Sequence, residues 1–159
     1  MNKQKIIEQV VLKLEKEIAF VTDAARAAHL AATHEESRAE DSHDTRGIEA
    51  SYLAGAQANR VAELKKQCLI LKTLVLPVFK STDAIALGAL VELDLEGRRS
   101  LYLLVETGGG LSAVVDEKTV HLLTLQAPLG DALLGKRAGE GVEIEAQNTV
   151  REYVVKKVS

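Results

Sequence analysis

The chain has 159 residues, 47% hydrophobic and 27% charged, enough for one ordinary globular domain or two small ones and too apolar for a disordered chain. Aromatics are only 3%, with no Trp, which excludes an aromatic stacking platform for single-stranded nucleic acid. A net charge of −3, from 20 basic and 23 acidic residues, argues against autonomous DNA binding, which needs a basic excess.

The single cysteine excludes an internal disulfide framework and a cysteine-cluster zinc site. The first residues run into an amphipathic pattern rather than an apolar leader segment, and no apolar run approaches the roughly 18 residues of a membrane span. The expectation is a soluble, cytoplasmic protein with no membrane partner.

From the N-terminus, apolar residues recur at Ile7, Val11, Leu14, Ile18, Val21, Ala25, Ala28 and Ala32, alternating steps of four and three. That is a heptad seam, with no Gly or Pro to interrupt it. A second seam runs through Ala50, Ala54, Gln57, Val61, Leu64, Cys68, Leu71 and Val75, with Gln57 its one polar member. Two adjacent seams of equal length are most simply satisfied by each other.

In an antiparallel hairpin, paired positions sum to a constant. Ile7 with Val75 and Ala32 with Ala50 share one constant, which puts the apex at residue 41. At about 1.5 Å of rise per residue, each arm spans on the order of 50 Å. A segment of a longer oligomeric coiled coil is the alternative, and it leaves the shared constant a coincidence.

Acidic residues gather around that apex: Glu35, Glu36, Glu40, Asp41, Asp44 and Glu49, against Arg38 and Arg46. Gly47 offers a place to turn, because it tolerates positive φ. Asp41 and Asp44, three residues apart, can face one point if the segment is helical or tightly turned. Carboxylates are the oxygen ligands that Mg²⁺ prefers, one or two of them completing a site shared with phosphates. The plain alternative is a solvated polar loop. His34 and His43 lack a third nitrogen or sulfur ligand nearby, so a zinc site is disfavoured.

Pro77 ends the second helix, and residues 77–85 read as a linker. Short apolar or period-2 segments follow at 89–95, 101–106, 111–115, 120–125, 142–146 and 150–155, with a hairpin turn at 96–99 and one helical turn at 131–134. The fold class is therefore α+β: a coiled-coil hairpin over 1–76 with its acidic tip at 35–49, then a small β-rich domain over 86–159.

Gly108, Gly109 and Gly110 lie between strands with no following helix, so they make a turn rather than a dinucleotide site. Residues 130–137 approach a phosphate-binding loop, but Arg137 stands where a Ser or Thr must ligate Mg²⁺, and two leucines would sit beside the phosphates. Cys68 belongs to the seam and is expected to be buried and inert, and His121 to be structural.

The stretch from Ala127 to Gly141, APLGDALLGKRAGEG, is similar to the S-P-[IL]-x-x-A-[LI]-[LI]-G-K-x-x-G-[DE] stretch of the Gre family of bacterial transcript-cleavage elongation factors. The order of hairpin then β domain, and the acidic tip with Asp41 and Asp44 fitting the family's D-x-x-E as D-x-x-D, extend the resemblance over nearly the whole chain. The resemblance implies an FKBP-like second domain that docks at the secondary channel of bacterial RNA polymerase while the hairpin enters it. It also implies that Asp41 and Asp44, with Glu40 in reserve, help hold the second Mg²⁺ of the polymerase, so that backtracked RNA is hydrolysed.

On that basis the polymerase remains the enzyme, Mg²⁺ is held only in the complex, and the nascent RNA 3′ end is met indirectly. Pro128, Gly135 and Lys136 then belong to the partner-binding domain. The sequence departs from the family in three places. Tyr52 follows Asp44 by eight residues where the family's tip tyrosine follows its Glu by four; Asp44 is one methylene shorter than Glu; and Asp131 stands where relatives often carry a basic residue.

The rival expectation is a secondary-channel regulator that modulates or inhibits the polymerase without stimulating cleavage, which the altered tip favours. A prolyl isomerase is disfavoured, because residues 86–159 hold only Tyr102 and Tyr153 to line a proline pocket.

Overall fold

The computed structural model describes residues 1–33, 46–146 and 149–159. Helices α1 (Lys3–Thr33) and α2 (Arg46–Thr73) are followed by β1 (Leu90–Leu95), β2 (Arg98–Val105), β3 (Ser112–Val115), β4 (Lys118–Thr124), α3 (Pro128–Leu133), β5 (Gly141–Ala146) and β6 (Thr149–Val158). This is the α+β architecture that the periodicities predict.

Asn2 starts α1, its Oδ1 accepting from the main-chain N–H of Gln4 at 2.9 Å and of Lys5 at 3.4 Å. The seam positions Ile7, Val11, Leu14, Val21 and Ala28 are buried, as are Leu64, Cys68 and Leu71 of α2. Gln57, the polar member of the second seam, is half-buried. Glu17 and Arg60, each immediately before a seam residue, join the two helices through Oε1 and Nη2 at 2.8 Å.

The second seam ends earlier than its spacing implies. Helix α2 stops at Thr73, and Val75 is 77% exposed. Pro77 explains the stop, since a proline ring clashes with the carbonyl four residues back, here that of Thr73. Gly47, expected to turn the chain, instead lies in the first turn of α2.

The chain divides into two compact units that do not follow the helix–sheet boundary. One is Leu12–Cys68; the other joins Met1–Val11 to Leu69–Ser159. The second unit is built on a six-stranded sheet in the order β3-β4-β2-β1-β6-β5. All pairs are antiparallel except β2 with β4, which run parallel with Leu101 opposite Val120.

One face of the sheet carries a core of Val91, Leu93, Leu104, Val142 and Val155, with Ile85 and Leu133 packed on it. Residues 77–85, read from the sequence as a linker, thus contribute to the core: Phe79 packs against it and Ile85 is 1% exposed. The ends of the helices meet the sheet elsewhere in the same unit. Ile6 and Val10 are fully buried, and the N–H of Val114 donates to Gln9 Oε1 at 3.1 Å.

The hairpin turns follow their glycines and their strain. Glu96 and Gly97 have φ of 52° and 83°, and the Gly97 N–H donates to Asp94 Oδ1 at 2.9 Å. Arg98 and Arg99 already belong to β2. Asp116 and Glu117 make the β3–β4 turn with φ of 52° and 61°, both in the left-handed region without glycine.

Candidate functional site

The tip carboxylates Asp41 and Asp44, with Glu40, lie outside the described residues, as do His34 and His43. By position in the chain they fall between Thr33, the last residue of α1, and Arg46, the first of α2. Tyr52 is 77% exposed on α2, two turns into the helix. Among the described residues, no group of three or more His, Cys, Asp and Glu side chains could hold a metal ion. No helix among them is long and apolar enough to cross a membrane.

Residues 127–141 are described in full, and the structure gives each of their special residues a mechanical task. Ala127 precedes the helix with extended backbone, and Pro128 opens α3, where its missing N–H costs nothing. Gly130 is buried against β4 so closely that a Cβ there would stand 2.0 Å from the Thr124 carbonyl oxygen. Leu133 is fully buried in the sheet core.

Gly135 then takes a φ of +78°, a conformation that glycine adopts without strain. That turn aims its N–H at the Ile85 carbonyl, 2.9 Å away, while the Ile85 N–H donates to the Lys136 carbonyl at 2.8 Å. Arg137 continues the clamp, its N–H donating to Glu140 Oε2 at 2.6 Å and its Nη1 to the Thr82 carbonyl. Pro128 and Gly135 remain exposed and Lys136 half-exposed, so these three combine a structural backbone with an open surface. Asp131 is exposed on the same helix.

Two features escaped the sequence reading. Lys3 donates from Nζ to the main-chain oxygens of Pro77 at 2.5 Å, Gly88 at 3.0 Å and Ser159 at 3.2 Å, and lies 4.9 Å from the Phe79 ring centroid. Burial pushes its ammonium below the usual lysine range. Gly88 belongs to the same cluster: a Cβ there would come within 2.8 Å of Pro77 Cδ and 2.9 Å of the Val75 carbonyl oxygen. Nothing in the sequence singles out Lys3 from neighbouring Lys5, since the three acceptors are main-chain atoms far along the chain.

The second is a groove of about 450 Å³ at one end of the sheet, lined by Glu92, Arg99, Ser100, Lys118, Thr119 and His121 around Leu101. Arg99 Nη1 and Glu92 Oε1 are 3.0 Å apart in it. His121, expected to be structural, is exposed, with its ring centroid 5.7 Å from that of Tyr102 at an interplanar angle of 37°. Burial above all, and then the neighbouring Tyr153, raise the Tyr102 phenol above its ordinary value, while a hydrogen bond with Ser100 lowers it. Cys68 is buried, as its seam position requires, and Gly108 and Gly110 turn the chain with φ of +82° and +85°.

A family model described as transcription elongation factor, GreA/GreB, C-terminal, matches residues 80–159. Transcription elongation factor GreA of Thermomicrobium roseum is 25% identical over 141 residues, covering 89% of this chain and 80% of that protein. Among solved structures, the GreA factor homolog 1 (Gfh1) protein of Thermus thermophilus is 24% identical, covers 94% of each chain and gives a TM-score of 0.38. The GreA/GreB factor of Nitrosomonas europaea is 20% identical, over 65% of this chain and 79% of that one, also at 0.38. At that TM-score neither superposition bears on function. The matched domain model spans β1 to β6 and contains the whole 127–141 clamp, and on that match the chain belongs to the GreA/GreB family of transcription elongation factors.

Proposed function

We propose that this elongation factor binds bacterial RNA polymerase through its secondary channel and stimulates the polymerase to cleave backtracked RNA. The observation that carries the proposal is the family membership of residues 80–159 in a chain whose two long helices are separated by an acidic stretch. Asp41 and Asp44 are the ligands this chain lends, with Glu40 in reserve, and Pro128, Gly135 and Lys136 sit on the docking domain.

The donor set fits the metal, since hard carboxylate oxygens suit Mg²⁺, which is commonly shared between one or two carboxylates and phosphates. Asp41 and Asp44 would help hold that ion, and the chemistry it would supply is activation of water and neutralisation of charge on the scissile phosphate. The chain's own contribution is to present those carboxylates. The hydrolytic activity belongs to the polymerase.

A second reading, a channel regulator that acts by occlusion, draws on the eight-residue spacing from Asp44 to Tyr52 and the exposure of Tyr52 on α2. Four residues beyond the family spacing amount to about one helical turn. The Mg²⁺ dependence of cleavage separates the two. Shared metal binding gives stimulation that rises with Mg²⁺ and disappears in Asp41→Asn or Asp44→Asn. A factor whose effect on transcription is indifferent to Mg²⁺ and to both substitutions is a regulator that only occupies the channel.

A further inference from the structure

The groove beside Arg99 has no part in the function proposed above, and its chemistry points elsewhere. Parallel pairing sets Leu101 of β2 opposite Val120 of β4, and two residues upstream on each strand stand Arg99 and Lys118. Continued two residues beyond that first pair, the register brings these two cations to the face that carries Leu101 and Glu92. Like charges placed side by side disfavour the sheet, so the arrangement costs stability unless an anion offsets it.

Among the described residues, one carboxylate lines the groove. Glu92 is diagonal to Arg99 and already bonded to it at 3.0 Å, and it faces Lys157 across the β1–β6 pair. Asp94, opposite Arg99, accepts the Gly97 N–H. Ser100, Thr119 and His121 border the groove, but alternation along β2 and β4 turns their side chains to the opposite face, where His121 meets Tyr102. A smaller cavity of about 140 Å³ shares Glu92, Leu101 and Lys118 and adds Lys157. Arg99, Lys118 and the adjoining Lys157 thus outnumber the carboxylate of Glu92 in a concavity within the size range of small-ligand sites.

We propose that this groove binds a phosphate-bearing small molecule of mononucleotide size, with Arg99 and Lys118 holding the phosphate beside Leu101. Arg presents a planar fork suited to phosphate oxygens, and Lys adds a point charge. A local concavity, rather than a long strip, favours a compact ligand over an extended acidic protein segment. The proposal does not depend on the polymerase reading, so either can fail without the other.

The test is an amide NMR titration of the full chain with adenosine monophosphate, inorganic phosphate and adenosine. Expected are saturable shifts at Arg99, Lys118 and His121 with the monophosphate, weaker ones with inorganic phosphate, and none with adenosine at equal concentration. The double variant Arg99→Gln/Lys118→Gln is expected to weaken monophosphate binding by about tenfold or more, with an unfolding midpoint no lower than that of wild type, since both side chains are exposed and the change removes a like-charge pair. Absence of saturable shifts with the monophosphate overturns the proposal, as do shifts that survive the double variant. A glutamate-rich peptide that shifts the same amides more tightly than the monophosphate also overturns it and makes the groove an acidic-protein surface.

Discussion

Ile85 is held by Gly135 and Lys136 on its two main-chain groups, donating to the Lys136 carbonyl at 2.8 Å and accepting from the Gly135 N–H at 2.9 Å. Those bonds tie the segment that enters the β domain to the residues just after α3. They give the glycine of the family stretch a structural task, whereas Lys136 contributes only its main-chain carbonyl to them and keeps its side chain for other contacts. The left-handed turn at Gly135 is what aligns the two strands of chain.

Gly130→Ala is expected to be the most damaging single substitution in this stretch. A Cβ 2.0 Å from the Thr124 carbonyl oxygen forces α3 off β4, at a cost of about 3 kcal/mol. Gly135→Ala has open space around it but an unfavourable φ, and is expected to cost about 1–2 kcal/mol. Urea unfolding of both variants checks the order. Equal stability of Gly130→Ala and wild type contradicts it.

Lys3→Met keeps the aliphatic stem but removes the donor to three main-chain oxygens. Loss of those bonds is expected to lower stability by about 1–3 kcal/mol, although the Ser159 oxygen keeps the Leu90 N–H as a donor. Lys5→Met, on an exposed neighbour, is the control and is expected to stay within about 0.5 kcal/mol of wild type.

Tyr102 gives a pH prediction. Its phenol titrates higher in the folded chain than in the unfolded one, so the folded state holds the proton longer. Its contribution to stability is fully present below the ordinary tyrosine value of about 10 and is lost as pH rises through the higher folded value. Comparison of wild type with Tyr102→Phe by phenolate absorbance should assign a component that ionises above about pH 10 to this residue. A component titrating below that value contradicts it.

Cys68 is 6% exposed on the hairpin seam. Its thiol should react with an aromatic disulfide reagent only slowly in the native protein and at the rate of a free thiol in denaturant, at least about tenfold faster. Equal rates in the two conditions contradict its burial.

Much of the fold was legible because it follows from spacing. The heptad steps place Ile7, Val11, Leu14, Val21 and Ala28 in the buried seam, and the strand segments come out within a few residues of their expected bounds. Apolar spacing carries the second seam to Val75, past the end of α2, because the reach of Pro77 back to Thr73 acts through the main chain and leaves that spacing unchanged.

The parallel β2–β4 pairing, which makes neighbours of Arg99 and Lys118, is a long-range choice that no local pattern encodes. The Lys3 cluster was invisible for the same reason. The expected partner-binding residues Pro128, Gly135 and Lys136 were found through the family stretch, and their geometry explains its glycines. Asp41, Asp44 and Glu40 came from composition and resemblance.

The central claim concerns those carboxylates, and transcript cleavage by a purified, stalled and backtracked bacterial polymerase tests it most directly. Wild type and Asp41→Asn/Asp44→Asn are compared, with binding to the polymerase measured alongside. The account predicts cleavage stimulated by wild type and lost in the double variant while binding is kept. Wild type that binds without stimulating cleavage, or stimulation that survives the double substitution, contradicts it.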